Sequence, residues 1–275
     1  MGQMQVKKIL NGMLVREGAG VKLHRYIGQQ HTDELEPLLL LDFFNSSDPL
    51  DFMAGFPSHP HRGFETITYL FSGSIQHKDN HGHQGTIGPG DVQWMTAGKG
   101  IIHSEMPDAT QKPLKGLQLW LNLPAAAKMS PPKYQELAHE QLPLEHDGGV
   151  KVKVIAGTTA KGTNSPIHGI ATQPLFFDVQ LEAGVIWTQP IPDDYQTILL
   201  LVRGEVMISG ESVSELQLAV LDEQSSLTVV ATQASQFILI AAKKIHEPIV
   251  RHGPFVMNTA EEIRQAMIDF QQGLF

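Results

Sequence analysis

The sequence contains no cysteine. Disulfides, thiolate metal sites and a cysteine nucleophile are therefore excluded, and the composition suits a reducing compartment, with the cytoplasm expected. Long apolar runs are also missing: the strongest, "PLLLLDFF" from Pro37 and "FILIAA" from Phe237, are strand-sized and too short for a bilayer span. The opening residues "MGQMQVKKILNG" hold no apolar stretch ahead of a small-residue cleavage site, so no secretory signal is expected. Gly2 invites N-myristoylation, but Val6 stands where that motif requires Ser or Thr. Positive charge is scarce. Lys and Arg total 20 against 29 Asp and Glu, for a formal charge of -9, and basic residues are scattered apart from pairs such as Lys7-Lys8 and Lys243-Lys244. A phosphate backbone would meet a repelling field and no basic stripe, which argues against direct nucleic-acid binding.

What remains is a globular balance, 41% hydrophobic and 18% charged, over 275 residues, enough for one large or two ordinary domains. Most of it reads as short strands. "ETITYLFSGSIQHKDNHGHQGTIGPGDVQWM" alternates β-branched or aromatic residues with polar ones between closely spaced turn residues, as in all-β sandwiches and barrels. In "GLQLWLNLP", Leu117, Leu119, Leu121 and Leu123 share one face and Gln118, Trp120 and Asn122 the other, which predicts a half-buried strand. After Pro124, the Pro- and Ala-rich "AAAKMSPPKYQELAHEQLPLEHDGG" reads as a connector. A second strand-rich region begins at Val150, and "LLVRGEV" from Leu200 echoes "YLFSGSI" from Tyr69, as a duplicated β domain would. The expected domains are 1–135 and 136–275. At the C-terminus the period changes: Thr259 and Glu262 form a capping box, Ile263, Ala266, Met267 and Phe270 mark one helical face, and Gly273 suits the end. A short terminal helix packed on the β structure is expected.

Six of the thirteen histidines lie between His59 and His103. In a strand, residues two apart share a face, so His59 and His61 point the same way, Pro60 marks a strand edge or start, and Glu65 continues that face. In "AGKGIIHSEMP", His103 and Glu105 repeat the spacing. Two such strands side by side would converge three imidazoles and one or two carboxylates on one ion, giving five candidate ligands for about four positions. His77, His81 and His83 sit among Lys, Asp, Asn and Gly and read as solvated hairpin residues. His24, His31, His139, His146 and His168 read as surface residues, and His246 and His252 as structural ones.

"HPHRGFETITY" and "GTIGPGDVQWMTAGKGIIHSEMP", with "GLQLWLNLP" and "EPIVRHGPFVMNT", resemble the pirin family of the cupin superfamily along nearly the whole chain. The resemblance implies an all-β fold of two cupin-type jelly-roll barrels with one metal ion in the first. It assigns the metal ligands as His59, His61, His103 and Glu105, and leaves Glu65 outside. The second half lacks any H-x-H, so a metal is not expected there. The resemblance favours Fe(II), although such donors also suit Mn, Co, Ni, Cu or Zn. It implies an oxygenase of the quercetin 2,3-dioxygenase type acting on a flavonol-like aromatic substrate, with Glu105 also a candidate base. The alternatives are a metal- or redox-dependent regulator of a transcription factor or metabolic enzyme, acting through protein contacts, and a cupin isomerase or sugar-binding protein.

Overall fold

A computed structural model describes residues 2–31 and 34–275. Its residues fall into two compact units: Met13–His139 with Ile245–Phe275, and the segment ending at Gly12 with Glu140–Lys244. Both are antiparallel β structures of one plan, a seven-stranded sheet and a four-stranded sheet. In the first unit the large sheet runs Lys133–Leu137, Val92–Thr96, Phe64–Ser72, Leu114–Asn122, Leu38–Ser46, Val21–Ile27 and Met13–Glu17. The small sheet runs Phe56–His61, Ile101–Pro107, Ile75–Asp79 and Gln84–Ile87. The second unit repeats this order, with Tyr195–Arg203 in the place of Phe64–Ser72 and Ile186–Pro190 in the place of Phe56–His61. The sequence echo falls on matching corners: Gly73 and Gly204 both leave these central strands at positive φ, 81° and 90°. A Cβ at either would press on the backbone of a facing strand, so glycine is required there.

The contacts group the residues differently from a division at 135/136. Strand Val6–Asn11 forms the edge of the second unit's large sheet by pairing with Gln217–Leu221. The Pro- and Ala-rich connector contributes an edge strand to each unit, Lys133–Leu137 and Leu144–Asp147. Composition hides both, because edge strands tolerate proline and charge and their partners lie far away in the chain.

The two interiors differ. In the second unit Trp187, Leu227 and Val229 of the small sheet pack onto Phe177, Leu199 and Phe237 of the large one, and the barrel is filled with apolar side chains. In the first unit the apolar cluster of Val21, Leu23, Phe44, Phe52, Leu70, Ile75, Ile87 and Leu114 occupies one part of the barrel only. Polar residues line the rest, including His61, Glu65, His77, Asp79, His103, Glu105 and Gln118, all buried. The C-terminal helix is Ala260–Gln271, with its Thr259–Glu262 capping box formed. Ile263 and Ala266 are buried against Phe255 and Met257, whereas Met267 and Phe270 stay partly exposed.

Candidate metal centre

Proline keeps Phe56–His61 at the edge of its sheet, since neither Pro57 nor Pro60 can donate to a ladder. Its one neighbour is Ile101–Pro107, with His59 opposite His103 and Ile101 opposite His61. A bulge follows His103, yet His103 and Glu105 are both buried while Ser104 between them is half-exposed, so the spacing of two does put them on the inward face. Gly63 then turns the chain into Phe64–Ser72 at a φ of 88°, and a Cβ there would collide with the carbonyl oxygen of Val256.

The structure brings His59, His61 and His103 together: one ring nitrogen from each lies within 4.8 Å of the others. His59 Nε2 and His61 Nε2 are 3.0 Å apart, and the His103 ring centroid is 4.5 Å from that of His59 and 5.0 Å from that of His61. His59 Nδ1 is 2.8 Å from the Pro57 carbonyl oxygen, which can only accept, so Nδ1 carries the proton and Nε2 presents its lone pair inward. Both nitrogens of His103 are buried without a hydrogen-bond partner in the protein. Three inward imidazoles, one with its tautomer set and one with no other use for its nitrogens, fit a transition-metal ion.

Glu105 stands outside that close group. Gln118 Nε2 reaches its two carboxylate oxygens at 2.9 and 3.0 Å, and Thr68 Oγ1 lies 3.4 Å from one of them. Glu65 is buried elsewhere on the inner wall, where it accepts a 2.7 Å bond from Thr96 Oγ1 and burial raises its pKa. The predicted half-buried strand Leu114–Asn122 is buried along most of both faces. On its polar face Gln118 donates to Glu105 and Asn122 Oδ1 accepts from Lys128, while Trp120 Nε1 and Asn122 Nδ2 are buried without a protein partner.

Burial, reinforced by the neighbouring His103 and His59, holds His61 well below the usual imidazole range. Burial likewise holds His103 at about 4, although Glu105 works in the opposite direction. Both rings are therefore neutral at pH 6, so an arriving ion displaces no proton from either. Three free imidazoles would release about two protons per ion at pH 6. We expect clearly fewer than two here, because neither His61 nor His103 has a proton to give up. Calorimetric titration in buffers of different ionisation enthalpy measures this number, and a value near two would contradict the burial argument.

Several residues that build the centre escaped the sequence reading. Arg62 donates to the Lys99 carbonyl at 2.5 Å, pairs with Asp269 at 2.7 Å and lies against the Phe275 ring. Lys128 is fully buried and donates to Gly63 O, Asn122 Oδ1 and Val256 O. A cleft of about 600 Å³ opens beside His59 and His61, bounded also by Gln118, Trp120, Arg251 and the Arg25–Asp42 pair. Arg251 lies 4.7 Å from the centre of the Trp120 ring. The hairpin reading of His77, His81 and His83 holds for exposed His81 but not for His77, which is buried in a strand. Its neighbour Asp79 anchors the following turn by accepting from the backbone N–H groups of His81 and His83.

Two barrels of one plan, the first with an inward imidazole triad and the second filled with apolar side chains, define a two-domain cupin. The chain belongs to the pirin family: the family's Pirin domain matches residues 20–121 and its Pirin C-terminal cupin domain matches residues 176–275. It is 46% identical to a pirin-like protein of Caulobacter vibrioides over 98% of both chains. It is 43% identical to pirin of Homo sapiens, covering 96% of this chain and 92% of the human one. Among solved structures, quercetin 2,3-dioxygenase from Acinetobacter baumannii superposes with a TM-score of 0.91 at 31% identity, over 100% of this chain and 99% of that one. No described helix is long and apolar enough to cross a membrane.

Proposed function

We propose that this pirin is a metal-dependent dioxygenase of the cytoplasm that cleaves flavonols such as quercetin, with His59, His61, His103 and Glu105 holding one divalent ion, foremost Fe(II). The observation that carries this reading is the convergence of three inward imidazoles on the wall of an open cleft of about 600 Å³. That volume is within the range of small-molecule sites. The similarity to a quercetin 2,3-dioxygenase along the whole chain supports the same substrate class.

When bound, the ion supplies Lewis acidity toward an enolic hydroxyl and, as iron, a route for electrons to dioxygen. The chain does the rest. His59 is held with its lone pair inward by Pro57, and His61 and His103 are kept neutral by burial. Trp120 presents a flat aromatic wall, and the Arg251 guanidinium beside it adds positive charge along the cleft, suited to a planar substrate that has lost a proton. The Glu105 carboxylate, steadied by Gln118, would complete the donor set. Were it detached, the same oxygens would accept the substrate's hydroxyl proton, although a ligated carboxylate is the weaker base.

The test is aerobic turnover of quercetin by iron-loaded protein, followed by loss of the flavonol absorbance and release of carbon monoxide, beside a His59→Ala control. Ring opening by the wild type alone is expected. Full iron occupancy with quercetin left unchanged would sink the catalytic reading and turn attention to regulation through protein partners.

A further inference from the structure

A second group of metal-ligating side chains lies in the same barrel. Strand Ile75–Asp79 alternates buried and exposed residues, so Ile75, His77 and Asp79 point inward. His77 stands opposite Glu105 in register. His83 comes from the turn ahead of Gln84–Ile87, and Glu136 comes from the other sheet, on edge strand Lys133–Leu137, opposite Gln93. One donor atom from each of His77, His83 and Glu136 lies within 4.8 Å of the other two. Glu136 Oε1 is 2.7 Å from His77 Nε2 and 3.0 Å from His83 Nε2, and Gln93 Nε2 donates to the same oxygen at 2.7 Å.

The ordinary reading is a carboxylate hydrogen-bonded by two histidines. It accounts for His83 but not for His77. A carboxylate oxygen accommodates about two donors, and His83 and Gln93 already supply them. His77 is only 5% exposed, and despite the short separation neither of its ring nitrogens makes a hydrogen bond of acceptable direction to any protein atom. A buried imidazole unpaired on both nitrogens calls for a partner. The rings are also held in place, with His83 stacked on Tyr134 at 4.1 Å and on His77 at 5.3 Å. Gly85 leaves the space that His77 occupies, since a Cβ there would meet the ring at 2.7 Å. Although burial works against its charge, the nearby His77 and His83 rings and the Gln93 amide hold Glu136 at about 2, so it is anionic at neutral pH.

We propose that His77, His83 and Glu136 form a second transition-metal site, suited to Zn²⁺ or a similar borderline divalent ion, that ties the two sheets of the first barrel together. Two imidazoles and one carboxylate are a donor set on which zinc keeps a further position for water. Nitrogen donors argue against Ca²⁺ and Mg²⁺. The site shares no donor with the His59 centre and does not depend on the flavonol reading.

Metal-stripped protein loaded with Zn²⁺, desalted and measured by elemental analysis provides the test. The wild type should retain two equivalents per chain, His59→Ala/His61→Ala one, and that variant with Glu136→Gln or His83→Ala added none. Zn²⁺ should also raise the melting temperature of His59→Ala/His61→Ala, because an ion bound only by the folded chain stabilises it, and either added substitution should remove the shift. A single equivalent in the wild type with none in His59→Ala/His61→Ala overturns the proposal, as does a shift that survives both added substitutions. His83 is half-exposed, so its alanine variant keeps the experiment decisive if Glu136→Gln fails to fold.

Discussion

Replacing His103 with leucine is expected to abolish metal binding at the His59 centre and, at the same time, to make the metal-free chain more stable. His103 is buried, and both its ring nitrogens lack a protein partner. Without an ion, those atoms contribute only a desolvation cost, of roughly 1 to 3 kcal/mol for each unsatisfied group. Leucine has nearly the same volume and needs no partner, so the apolar replacement should recover about 1 kcal/mol or more. A site kept for function at the expense of stability behaves in this way. Urea unfolding in the presence of a chelator measures the stability change, and anaerobic Fe(II) titration measures the binding. A leucine variant that is clearly less stable without metal would mean that His103 serves packing and has no vacant coordinating role.

Lys128→Met should have the largest effect on stability of any single change considered. Burial pulls the Lys128 ammonium down to about 7, with Glu247 and Glu262 opposing the shift, yet its three donors match three acceptors: Gly63 O, Asn122 Oδ1 and Val256 O. Methionine fills the space and strands all three. Each buried acceptor left without a donor costs roughly 1 to 3 kcal/mol, so a loss on the order of 3 kcal/mol or more is expected. The damage reaches the metal centre because Gly63 lies two residues after His61, at the turn out of its strand, and Val256 belongs to the two-stranded ribbon with Val250–His252. The off-rate of the bound ion should therefore rise along with the fall in urea midpoint. An unchanged midpoint would show that the three acceptors find other donors and that Lys128 is incidental to the fold.

The centre was legible in unequal parts. His59 and His61, and separately His103 and Glu105, could be paired from spacing alone, because the β period is two and each pair lies on one strand. The same rule placed Glu65 inward, and it is buried, but facing the interior is not the same as reaching the ion: Glu65 is matched to Thr96 on the neighbouring strand. Arg62, Lys128 and Gln118 gave no local signal of their roles. Arg62 meets partners 37 and 207 residues away, Lys128 partners 6, 65 and 128 away and Gln118 one 13 away, and it is the folded sheets that bring the distant ones into range.

The sequence by itself determined the chemistry on offer: no thiolate donor, an acidic chain, strands of period two, one half with paired histidines and one half without. Those are properties of residue type and near spacing, which act before any distant contact forms. Tertiary structure decided the rest, since pairing across sheets follows no local period. It moved strand Val6–Asn11 to the far half of the chain, filled the second barrel with Trp187 and Phe237, hydrogen-bonded Glu105 to Gln118, and set Glu136 from an apparent connector against His77 and His83.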